Sequence, residues 1–228
     1  MTKNLKNLEI KLGVKFKKPE LLAQALIHRS YLNETTGRGL NSNERLEFLG
    51  DAILELVISE WLFSQFPQYP EGILTNLRSN IVRTTALARI AQELAVGEHI
   101  LLSKGERNSH GSENPSILAD TLEAIIGAIY LDQGNKAAKK FIREKFRSLI
   151  KEVSQKSQYK DAKSLLQEKL QAESKETPVY KTLKEEGPDH DKSFTLGVYA
   201  NGRLLAKGTG KSKQLAEEAA AQKALKND

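Results

Sequence analysis

The chain has 228 residues, of which 39% are hydrophobic and 28% charged, a length that suits one large domain or two small ones. It contains no cysteine, which excludes a disulfide scaffold, thiolate zinc centres and a cysteine nucleophile, and fits a reducing cytoplasm. The formal net charge of +6 is unevenly spread: residues 1–134 carry 14 basic and 16 acidic groups, residues 135–160 carry 9 and 2, and residues 161–228 carry 12 and 11.

The opening MTKNLKNLEIKLG breaks its apolar residues with lysines, unlike a signal peptide, and no apolar run approaches the roughly 18 residues of a membrane span. Pro19 opens a helix holding Leu21, Leu22, Ala25 and Leu26. His28, in IHRSY, reads as a hydrogen-bonded structural histidine. The four histidines (His28, His99, His110 and His190) show no metal-ligand spacing. In NERLEFLGDAILE, Glu44, Glu47, Asp51 and Glu55 stand at i, i+3, i+7 and i+11. At roughly 100° per residue they share an arc of about 80°, opposite Leu46, Leu49, Ile53, Leu54 and Val57. Leu77, Ile81, Leu87, Ile90, Ala91 and Leu94 predict further helices. SILADTLEAIIGAIYLD predicts another over 116–132, ended by Gly134. KAAKKFIREKFRSLIKEV has Ala138, Phe141, Ile142, Phe146, Leu149 and Ile150 on one face and cations on the other, and should close a first domain over 1–153. Such a basic face marks either a polyanion partner or plain solvation.

SQKSQYKDA has no apolar periodicity and is expected to hold a linker, 154–160, before a second domain over 161–228. There Asp161 can cap a short helix through Leu170. VYKTLK, SFTLGVYA and RLLAKG follow as strands, the last two joined by Asn201-Gly202, a hairpin turn signal. KQLAEEAAAQKAL ends the chain as an alanine-lined helix. The expected architecture is a mostly α N-terminal domain joined to a small α+β module of order α-β-β-β-α.

Asp120 and Glu123 form a second acidic pair at i, i+3, with Ala124 and Gly127 on nearly the same face. Small residues beside acids suit a close helix–helix contact. If that contact is with the Glu47/Asp51 stripe, four carboxylates converge and raise one another's pKa. A divalent cation relieves the conflict. An all-oxygen donor set favours Mg²⁺ or Mn²⁺, and a pair of such ions can promote phosphodiester hydrolysis. Solvated helix faces carry the same charges equally well, and spacing alone does not show that the helices touch. KGTGKS resembles the tail of a phosphate-binding loop, but the motif's first glycine position is Leu205, so an ATPase is rejected.

In the second domain, Ser164, Gln167 and Gln171 make a polar stripe at i, i+3, i+7. GPDHDK is a turn carrying His190. Lys211 and Lys213 flank Ser212 at the start of the last helix, where backbone N–H groups, the helix dipole and ammonium groups together suit phosphate. Amides and hydroxyls beside lysines suit the wide minor groove of A-form RNA, which displays 2′-hydroxyls. Few aromatics are available to stack on single-stranded bases. A small structural α/β module remains the alternative.

NERLEFLGDAIL resembles the signature of the ribonuclease III family, and PSILADTLEAIIGAIYLD its second acidic motif. Residues 161–226 resemble the double-stranded RNA-binding domain that follows in bacterial members. The resemblance implies a helical, homodimeric endonuclease that cuts double-stranded RNA with Mg²⁺ and leaves 5′-phosphate and 3′-hydroxyl ends with a short 3′ overhang. Processing of ribosomal RNA precursors and other structured RNAs is expected by the same analogy. It implies that Glu47, Asp51, Asp120 and Glu123 hold metal, with Asp51 and Glu123 catalytic. Glu44 is assigned to structure or the dimer interface. Glu71 matches another acid near the site, with a structural or interface role. Gln167, Gln171 and His190 would contact the groove, and Lys211, Ser212 and Lys213 phosphates; Ser164, on the same polar stripe, is expected to bind RNA beside them. Gln214 departs from the lysine frequent at that position. A non-cleaving double-stranded RNA-binding regulator is the competing reading.

Overall fold

The computed structural model describes residues 2–34, 39–174, 176–188 and 192–226, with the side chains of 2–4, 155–161 and 174 set aside. Two compact units divide at Lys151/Glu152.

The α-helices of the first unit are α1 (Thr2–Leu12), α2 (Pro19–Ala25), α3 (Arg29–Leu32), α4 (Glu44–Gln65), α5 (Glu71–Val82), α6 (Thr84–Glu93), α7 (Lys104–Asn108), α8 (Pro115–Gln133) and α9 (Asn135–Lys145). Its core is built on α8. That helix is apolar around most of its circumference and buries Ile117, Leu118, Leu122, Ile125, Ile126 and Ile129, as expected for a helix enclosed by others. Helices α2, α4, α6 and α9 pack around it. Pro115 stands in the first turn, and the Asn114 side chain accepts a hydrogen bond from the Ser116 N–H at 2.9 Å, so the start of α8 is capped. At its far end the Asp132 carboxylate accepts the backbone N–H groups of Lys17 and Lys18 at 2.9 and 2.8 Å, tying the segment before α2 to the core.

The basic helix expected over 136–151 divides at Phe146, the C-cap of α9, and α10 (Arg147–Ser174) follows. The backbone of 154–160 is helical within α10. This stretch holds neither proline nor glycine, so nothing in it breaks a helix. Missing apolar periodicity reports a helix without a core-facing stripe, not an irregular backbone. A connecting segment can be helical.

The second unit adds an antiparallel sheet, β1 (Val179–Glu186), β2 (Ser193–Ala200) and β3 (Arg203–Gly210), in the order β1-β2-β3, and then α11 (Lys213–Lys226). Asn201 and Gly202 turn between β2 and β3 with φ of 51° and 76°, the left-handed pair that a two-residue hairpin demands. Leu166, Val198, Ala206, Ala220 and Ala221 form the core between sheet and helices. Alanines let α11 lie close: a Cβ on Gly208 of β3 would stand 2.1 Å from the Ala220 nitrogen.

Candidate metal centre and nucleic-acid interface

Helix α4 begins at Glu44, after the buried Asn43 donates its backbone N–H to the Ile27 carbonyl at 2.8 Å. Two glycines set its distance from α8. A Cβ at Gly50 would lie 1.8 Å from the Glu123 carbonyl oxygen, and one at Gly127 would lie 2.2 Å from the Leu46 carbonyl oxygen. Only hydrogen atoms fit there. The backbones therefore meet beside the residues that carry the acids, and carboxylates from both helices converge.

Glu47, Asp120 and Glu123, all half-buried, each present an oxygen within 4.8 Å of the other two. Asp51 is exposed and stands outside that triad, yet its charge is the strongest acting on Glu123. Burial first, then Asp51, Asp120, Glu47 and Glu55, push the Glu123 carboxyl up to about 8. Burial and the charges of Asp120, Glu44 and Asp51 raise Glu47, with Arg29 opposing. Burial raises Asp120, against His28, Arg29 and a backbone hydrogen bond. Three carboxyls that all resist ionisation, aimed at one point, fit a hard divalent cation, which would supply the missing positive charge.

Glu44, the first acid of the stripe, is occupied elsewhere. It accepts the Ser42 hydroxyl at 2.7 Å and faces the Arg29 guanidinium at 4.0 Å. Glu71 heads α5, accepts the Thr75 hydroxyl at 2.8 Å, and lines a groove of about 520 Å³ with Leu56, Phe63, Tyr69 and Leu74. His28 caps α3: its Nδ1 accepts the Ser30 N–H at 3.3 Å and lies 2.8 Å from the Ser30 hydroxyl. That is the structural role expected of it, although its charge also reaches Asp120.

In the second unit Ser164, Gln167 and Gln171 are exposed along α10, while Ala162 and Leu166 are buried. Ser212 caps α11, its hydroxyl accepting the Leu215 N–H at 3.2 Å. Lys211 is exposed just before it. Lys213 is exposed but engaged: its ammonium sits 2.7 Å from the Glu185 carboxylate and 5.6 Å above the Phe194 ring. His190 lies outside the described residues.

A family model described as Ribonuclease-III-like matches residues 18–150, and one described as Double-stranded RNA binding motif matches residues 162–227. The chain belongs to the ribonuclease III family. Ribonuclease 3 of Syntrophobacter fumaroxidans is 49% identical over 225 residues, covering 97% of this chain and 93% of the relative. Ribonuclease 3 of Desulforamulus reducens is 46% identical over 220 residues, covering 96% and 89%. The solved structure of the nuclease domain of ribonuclease III from Campylobacter jejuni aligns with a TM-score of 0.57 and 44% identity, covering 63% of this chain and 99% of that one. The protein is therefore an endoribonuclease of this family with a double-stranded RNA-binding module, and the acid cluster lies in its nuclease domain.

Two features escape a reading by motif. Gly50 is one: a glycine inside a helix costs about 1 kcal/mol relative to alanine, and that cost is the available signal. The other is an apolar stripe on α4. Phe48, Leu56 and Phe63 are 81%, 63% and 73% exposed, and their spacing places them within about 80° of one another. They could have been found as large apolar residues next to the acidic arc.

Proposed function

We propose that this protein is a Mg²⁺-dependent, homodimeric endonuclease of double-stranded RNA, acting in the cytoplasm on ribosomal RNA precursors and other structured transcripts. The observation that carries the metal reading is the convergence of Glu47, Asp120 and Glu123 within 4.8 Å across the Gly50–Gly127 contact. These three, joined by Asp51 from the rim, would hold the divalent ions, with Mn²⁺ as a substitute. Bound there, the ions supply a Lewis acid for the scissile phosphate and lower the pKa of water. The protein's own part is to aim the carboxylates and keep Glu123 ready to exchange a proton for a cation. Hydrolysis with departure of the 3′ oxygen leaves 5′-phosphate and 3′-hydroxyl ends.

The apolar stripe of α4 supports the dimer. Three large side chains this exposed are unusual on a surface that stays wet, and they lie directly beside the acidic arc. A second copy docked there by a twofold axis would bring its own acids alongside, giving one centre per strand of the duplex and a short 3′ overhang. The Campylobacter jejuni nuclease domain has a region involved in dimer formation. Glu71, on the groove next to Phe63, and Glu44 are assigned to this interface or to structure. The exposed cations of α9 and early α10, with Ser164, Gln167, Gln171, His190, Lys211, Ser212 and Lys213, are assigned to the RNA. The domain division of 1–153, 154–160 and 161–228 is kept, with a helical connector.

The test is cleavage of a labelled duplex with Mg²⁺ or with EDTA, product ends mapped, by the wild type and Glu123→Gln. Cuts on both strands only with Mg²⁺, and a loss of about 100-fold or more in the variant with duplex binding retained, are expected. Binding with no new ends in either condition would make the protein a regulator instead.

A further inference from the structure

The β-ladder places three residues in one row on the helix-facing side of the sheet. Glu185 of β1 pairs with Phe194 of β2, and Phe194 pairs with Gly210 of β3. After Gly210 the chain turns into α11 at close range, which the missing Cβ permits: one there would stand 2.7 Å from the Ala216 nitrogen. The first residue of α11 is Lys213, which therefore emerges at the end of the row. Its ammonium stands 5.6 Å over the Phe194 ring and 2.7 Å from Glu185. The side chains stay 57% and 41% exposed, so the pair is open to solvent and to anything that approaches from solvent.

We propose that Glu185 competes with RNA for Lys213 and thereby sets the affinity of the second domain for a duplex. This rests on the assignment of Lys213 to a backbone phosphate. The ammonium has three donors, and in this structure the Glu185 carboxylate takes it at 2.7 Å. A phosphate reaching that position meets a carboxylate already there. Either the ammonium leaves Glu185, or it bridges both anions and holds two like charges together. Each alternative weakens binding. The loss is modest, since an exposed ion pair changes an equilibrium by up to about fivefold. Weak retention has a use for an enzyme that must release a cut duplex, whose product keeps the same phosphates as the substrate.

The experiment measures equilibrium binding of the full chain to a fluorescent duplex of about 25 base pairs in EDTA, for the wild type, Glu185→Gln, Lys213→Met and the double variant, with thermal melting to confirm that each is folded. Glu185→Gln should tighten binding by about two- to fivefold at low salt. The gain should fade as salt rises, and should vanish in the Lys213→Met background. An unchanged or weaker Glu185→Gln would overturn the proposal, the weaker case making Glu185 a positioning residue for Lys213. An equal gain with and without Lys213 would also overturn it, reducing the effect to general charge. Wild-type binding by Lys213→Met would remove the phosphate assignment itself, a separate failure.

Discussion

Glu123 shows what a single carboxyl does when four acids and a partial burial surround it. With its pKa pushed up to about 8, it favours its protonated form at neutral pH, and a bound cation would have to displace that proton. The concentration of Mg²⁺ giving half-maximal cleavage should therefore fall as pH rises from 6 to 8, and Glu123→Gln should lose most of that dependence. Stability has a definite sign as well. Between about 4.5 and 8 the folded chain keeps a proton that the unfolded chain has released, so this group's contribution declines as pH rises through that window. Melting of the metal-free protein should show the decline, Glu123→Gln should flatten it, and added Mg²⁺ should raise the melting temperature more at pH 8 than at pH 5. His99 works the opposite way. It is 8% exposed, and neither ring nitrogen has a hydrogen-bond partner among the described residues. Burial, then Lys11, lower its pKa, against Glu98. The stability it permits is present above about 6.5 and is lost as pH falls through that value toward the lower folded pKa. His99→Leu should raise stability at pH 6 by about 1 kcal/mol in denaturant titrations, and by less at pH 8.

At the scale of elements, the contact between α4 and α8 decides whether there is a site at all. Acids on one helix are only a charged face. Acids on two helices held at backbone contact become a chelating group, and Gly50 and Gly127 permit that contact. Gly50→Ala adds one carbon where the Glu123 carbonyl stands, so the helices must part or shift along each other. Overpacking of this kind costs about 1–3 kcal/mol. Here the carbonyl belongs to the backbone and cannot rotate away, so at least the upper end is expected. Circular dichroism melts should show the loss, and cleavage should fall further than stability, because the carboxyl spacing widens with the helices. Position on a helix was readable in advance, since period alone puts Glu47 and Asp51 on one side. That Glu44 is held by Ser42 and Arg29, and that Asp51 stands at the rim, depended on neighbours no spacing rule names.

For the whole molecule, the proposed dimer would govern the outcome of the reaction. The stripe of Phe48, Leu56 and Phe63 is the largest apolar investment that α4 leaves in water. Phe63→Glu, which introduces a charge without touching the acid triad, should shift the protein toward monomers in sedimentation experiments. The same variant should turn paired cuts into single-strand nicks, read on native and denaturing gels of one digest. Unchanged sedimentation would remove this face from the dimer reading while leaving the metal centre intact.

By itself, the amino-acid order determined what depends on neighbours along the chain. This covers the acidic arc of α4, the helical course of α8, the Asn201-Gly202 hairpin and the sequence of one helix, three strands and a helix in the second unit. These follow from helical and strand periods and from local backbone preference, which act over a few residues. Tertiary structure alone decided how near Glu47 comes to Asp120 and Glu123, which acid stays outside, and that Lys213 meets Glu185 from 28 positions away. Those distances come from packing, where one absent Cβ or one row of a β-ladder brings together side chains that the linear pattern cannot relate.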